Sequence, residues 1–105
     1  MRLKGKVAVI TGASRGLGLA LSRAFSKESA QVAMLARSRS ALEKVASGIV
    51  DATAFSCDVA DAGSVSETFS NIRAEIGEVD VLVNSAAIAH PQMIEDCQDG
   101  MLEEE

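Results

Sequence analysis

Apolar and polar residues alternate along this chain in two rhythms. Residues 7–10 (Val-Ala-Val-Ile) are an unbroken apolar run, as in a strand buried on both faces. Leu17, Ala20, Leu21, Ala24 and Phe25 then recur at the spacing of one helical face. Residues 31–36 (Gln-Val-Ala-Met-Leu-Ala) predict a second strand, and Leu42, Val45, Ala46 and Ile49 a second helix. Residues 53–57 predict a third strand. Ser64, with Glu67 three positions on, has the form of a capping box. Val65, Phe69, Ile72 and Ile76 share the face of the helix that follows, and Gly77 is placed to stop it. Residues 79–83 (Val-Asp-Val-Leu-Val) predict a fourth strand. Beyond Ala86 the rhythm fades. His90-Pro91 predicts a break, and residues 88–105 read as a poorly determined tail or a truncated helix, as if an α/β pattern stopped before its end.

Strands and helices in strict alternation, joined by short connections, predict a layered α/β fold on a parallel sheet. One hundred and five residues suit a single domain or part of one. With three Phe and neither Trp nor Tyr, the core has to be built from Val, Ile, Leu, Ala and Met. The net charge of −5 argues against a nucleic-acid partner. No apolar run approaches the ~18 residues of a membrane span, and the first ten residues read as the start of the fold rather than a signal peptide. Cys57 and Cys97 lack metal-ligand spacing and fit a reduced compartment, the cytoplasm or else the mitochondrial matrix. Cys57 reads as core, Cys97 has no assigned role, and His90 reads as a turn residue. No metal site is expected.

The chemistry lies in residues 11–18, Thr-Gly-Ala-Ser-Arg-Gly-Leu-Gly. Strand, glycines, then helix puts Gly12, Gly16 and Gly18 at the carboxyl end of the first strand. Gly12 can take backbone angles closed to other residues, Gly16 admits phosphates close to the backbone, and Gly18 lets helix and strand pack closely. The unpaired N–H groups at the helix start then face an anion. A nucleoside-triphosphate loop would need Gly-Lys followed by Ser or Thr, which is absent. A methyltransferase loop and a plain glycine turn remain as alternatives to a dinucleotide loop.

The spacing Gly-x-x-x-Gly-x-Gly after Thr11 resembles the loop of the short-chain dehydrogenase/reductase family, and the resemblance runs from Lys4 to Ile88. Within the family, the wording of residues 11–18, 56–59 and 82–84 is similar to carbonyl reductases and 3-oxoacyl-carrier-protein reductases. The resemblance implies a Rossmann-type three-layer sheet, here partial, with about four strands in the order 3-2-1-4, binding NAD or NADP. The ribose selector of such a unit lies about 20 residues past the glycines. Here that point is Arg37, followed by Ser38 and Arg39, where an NAD site would place a carboxylate. Guanidinium groups suit a 2′-phosphate, and Arg15 can reach the same group, so NADP is expected over NAD. Arg39 reads as a solvated loop charge. By resemblance, Ser14 and Leu17 belong to the cofactor loop, Asp58 and Val59 meet the adenine, and Asn84, Ser85 and Ala86 run beside the cofactor ribose. The family pattern there is Asn-Asn-Ala-Gly, from which Ser85 and Ala87 depart.

Family chemistry is hydride transfer between nicotinamide and a carbonyl or alcohol, with a tyrosine as proton donor, a lysine four residues later and a serine. These 105 residues contain no tyrosine, so no catalytic residue is assigned. The expectation is the cofactor-binding N-terminal part of an NADP-dependent oxidoreductase, with a non-catalytic dinucleotide-binding or interaction module as the alternative. Arg37 in place of an acid disfavours the methyltransferase. The partner expected is a dinucleotide, with a small carbonyl or alcohol substrate only in a longer form. The family's homo-oligomers are not expected of this chain, whose fourth strand would be left with an exposed apolar edge.

Overall fold

The computed structural model describes residues 3–85. Seven elements follow one another: β1 (Val7–Thr11), α1 (Gly16–Lys27), β2 (Gln31–Ala36), α2 (Arg39–Ala46), β3 (Ala52–Ser56), α3 (Ala62–Glu75) and β4 (Val81–Asn84). The four strands form one parallel sheet in the order β3-β2-β1-β4, as the alternation and the resemblance predict. The central β1 is buried along its whole length, which explains its unbroken apolar run.

Side chains leave the strands alternately toward two cores. Ile10, Val32 and Met34 point to the side covered by α1 and α2, where Leu42 and Ala46 complete a buried cluster. Val7, Val9, Ala33, Leu35 and Phe55 point to the other side, against Ile72 of α3. Val65, Phe69 and Ile76 join Ile72 there, as the periodicity of that helix predicts. The result is a helix–sheet–helix sandwich.

Three local expectations are corrected. The buried stripe of α1 is not Leu17, Ala20 and Ala24, all of which are exposed. It is Gly18 and Ser22, flanked by Leu21 and Phe25. Gly18 lies against Gly12 and Ser85 too closely for any side chain, so this face of the helix carries small residues. The capping box at Ser64 does not form either. Asp61 is the N-cap of α3, and its Oδ1 accepts from Gly63 N at 2.9 Å and Ser64 N at 3.2 Å. With a carboxylate available three positions earlier, the helix starts earlier, and the Ser64 hydroxyl instead accepts from Asp58 N at 3.1 Å. Strand β4 begins at Val81 rather than at residue 79, because Asp80 is occupied in joining β4 to β1. Its carboxylate accepts from Val7 N at 2.9 Å, and its own N–H donates to Val7 O at 2.8 Å. Gly77 does end the third helical segment, at φ +146.

Candidate cofactor cavity

The carboxyl ends of β1 and β2 open into a cavity of about 730 Å³, within the range of roughly 300–1,000 Å³ for small-molecule sites. A parallel sheet creates such a crevice where neighbouring crossovers leave the sheet on opposite faces. Here α1 and α2 pack on one face and α3 on the other, and the strand order β3-β2-β1-β4 reverses at β1, so the crevice lies over its carboxyl end.

Gly12, Ser14, Arg15, Gly16, Leu17 and Gly18 form one wall. The chain turns there through left-handed backbone at Gly12 (φ +59) and Gly16 (φ +60), where a side chain would be strained. Among the described residues no side chain caps the start of α1, so its first N–H groups face the cavity. Gly18 is required by packing. A Cβ there would lie 2.7 Å from Ser85 Oγ and 2.8 Å from Gly12 C. Ser85 Oγ itself donates to Thr11 O, and Thr11 Oγ1 donates to Asn84 Oδ1 at 2.9 Å. A polar knot between β1 and the end of β4 thus lies under the glycine turn.

The opposite wall is made by Leu35, Ala36, Arg37, Ser38 and Ala41. Ser38 is the N-cap of α2 and accepts from Ala41 N at 3.4 Å. The N-terminus of a second helix therefore borders the same cavity. Arg15 and Arg37 are exposed at its rim, and their guanidinium groups have no ion-pair or hydrogen-bond partner among the described residues. Arg39 differs, because its Nε is paired with Glu43 Oε2 at 2.9 Å. Among the described residues no carboxylate lines the cavity, whereas two guanidinium groups do.

Cys57 and Val59 close the β3 side, and Ser85 closes the β4 side. Asp58 and Asn84 stand next to the lining rather than in it. Asp58 Oδ1 accepts from Ala60 N at 3.0 Å, which makes it a turn residue. Asn84 holds Thr11, and Ala86 lies outside the described residues. The sequence singled out the glycine wall, Arg37, Ser38, Val59 and Ser85. It gave no site role to Leu35, Ala36, Ala41 or Cys57. Their signal is positional: the last two residues of β2, one turn into α2, and the residue just after β3.

The sequence profile described as short chain dehydrogenase matches residues 6–104. D-threitol dehydrogenase of Mycolicibacterium smegmatis is 41% identical over 92 residues, covering 84% of this chain and 35% of that protein. A 3-oxoacyl-[acyl-carrier-protein] reductase of Salmonella typhimurium is 35% identical over 95 residues, covering 90% of this chain and 39% of that protein. The chain thus spans little more than a third of the length of these relatives. The crystal structure of a metagenomic short-chain oxidoreductase in complex with NADP superimposes with a TM-score of 0.74 at 35% identity, covering 78% of this chain and 39% of that one. The profile match and these likenesses agree with a glycine-walled cavity at the carboxyl edge of a parallel sheet: the chain belongs to the short-chain dehydrogenase family.

Proposed function

We propose that these residues are the dinucleotide-holding part of an NADP-dependent short-chain oxidoreductase that reduces a carbonyl or 3-oxo group. The observation that carries this reading is the convergence, among the described residues, of two helix N-termini and two unpaired guanidinium groups on one cavity whose lining holds no carboxylate. Each helix start suits one anionic group. The diphosphate fits the α1 wall, where glycines let it reach the backbone. The 2′-phosphate fits the α2 wall, between Arg37 and Arg15, where paired charge-assisted hydrogen bonds are available. Val59 and Cys57 offer an apolar seat for adenine. Leu17 and Ser85 border the opposite end. A relative with this shape is known in complex with NADP.

When bound, the cofactor supplies a hydride. The residues in view bind and orient it: the glycine turn fixes the phosphates, and the arginines select the ribose substituent. None is assigned the proton transfer, since the 105 residues contain no tyrosine. The free thiol of Cys57 suits the reducing cytoplasm.

Titration of wild type and Arg37→Asp with NADPH and NADH tests the assignment. The substitution removes charge-assisted bonds and adds a repelling carboxylate. NADPH affinity should fall roughly ten- to hundredfold, with NADH affinity nearly unchanged. Equal losses for both cofactors would overturn the 2′-phosphate site.

A further inference from the structure

Arg15 and Arg37 line the cavity with guanidinium groups unpaired among the described residues, and a third arginine stands at the start of α2. Arg39 is the first residue of α2, next to the N-cap Ser38 that lines the cavity. Its guanidinium points down the helix to Glu43, with Nε 2.9 Å from Oε2. Neighbouring Cα atoms are about 3.8 Å apart, and an extended arginine reaches roughly 6 Å, so Arg39 can also turn to the cavity rim. Glu43 is what directs it away. Both side chains are more than half exposed, at 65% and 55%. Ion pairs so exposed are weak, and one partner exchanges readily for a better anion.

We propose that Glu43 is a specificity-determining residue that lowers affinity for the 2′-phosphate by holding Arg39 along α2. This rests on the dinucleotide reading above and adds a regulator to it. Two arginines bind the phosphate directly. The third is divided between an intrahelical carboxylate and the ligand, and the charge at position 43 sets the division. A carboxylate there keeps cofactor exchange fast, whereas a neutral residue gives a tighter and slower site.

The test is a double-mutant cycle on the 105-residue protein, with NADPH and NADH binding followed by titration and helix content by circular dichroism. Glu43→Gln and Glu43→Ala should each bind NADPH about two- to fivefold more tightly than wild type, because an exposed pair opposes release only weakly. NADH affinity should stay level. In an Arg39→Ala background the same substitutions at position 43 should have no effect. The proposal falls if NADPH affinity does not rise, if NADH gains equally, or if the gain persists without Arg39, since the carboxylate would then act by its charge alone. Failure of the underlying reading looks different: wild type would show no preference for NADPH over NADH, and Arg37→Asp would not discriminate.

Discussion

At the scale of single residues, Gly18 is where helix, glycine turn and β4 meet. An alanine within a helix is ordinarily favoured over glycine by about 1 kcal/mol. Here the added methyl would press on Gly12 and on Ser85 Oγ at 2.7 Å, and backbone on one side has nowhere to move. Gly18→Ala should therefore destabilise by about 1–3 kcal/mol, seen as a lower denaturant midpoint, and should abolish NADPH binding. Gly48→Ala is the contrast, because its nearest neighbour is Val45 O at 3.7 Å, and its midpoint should barely move. A Gly18→Ala protein as stable as the Gly48→Ala protein would refute this account of the turn. The glycine wall was legible in sequence because its residues are consecutive and their constraint is local. Ser38 and Arg37 were legible through a fixed spacing. Ala41 and Cys57 were not, because a cavity wall built by tertiary packing leaves no local pattern. Arg39 was read as a loop charge, whereas it opens a helix and is paired within it.

At the scale of elements, each boundary records a competition between polar groups. The apolar periodicity revealed every strand and helix, and the inner face of α3 was read correctly. The start of β4 moved because the Asp80 side chain binds backbone that the hydrophobic pattern could not foresee. The face of α1 was misread because the hydrophobic pattern weights large side chains, while the true contact is made by the two smallest residues on that side, Gly18 and Ser22. Ser22 is fully buried and satisfied, its hydroxyl donating to Gly18 O at 2.8 Å. The cap of α3 gives a direct check. Asp61→Ala removes the acceptor for two helix-start N–H groups and should cost about 1 kcal/mol, measured by chemical denaturation. Glu67→Ala, which would matter if the box at Ser64 formed, should change stability by less than about 0.5 kcal/mol. The reverse order of effects would restore the capping box.

At the scale of the whole molecule, the sheet is asymmetric. β4 ends the strand order with no neighbour on its outer side among the described residues, and Leu82 is 54% exposed on it. Edge strands of this kind invite pairing with other chains, and a charge is the usual protection. Leu82→Lys should reduce self-association in sedimentation velocity and leave the thermal midpoint within about two degrees. Unchanged association would mean the edge is not its source. The knot of Thr11, Asn84 and Ser85 has a different consequence, one of timing. It joins residues 73 and 74 positions apart, so the support beneath the glycine turn comes from the last strand in view. Contacts at such separation form late, after shorter loops have closed. During synthesis the chain would carry its whole glycine signature long before it had a seat for a nucleotide, and the first capture of ligand would signal that β4 had docked.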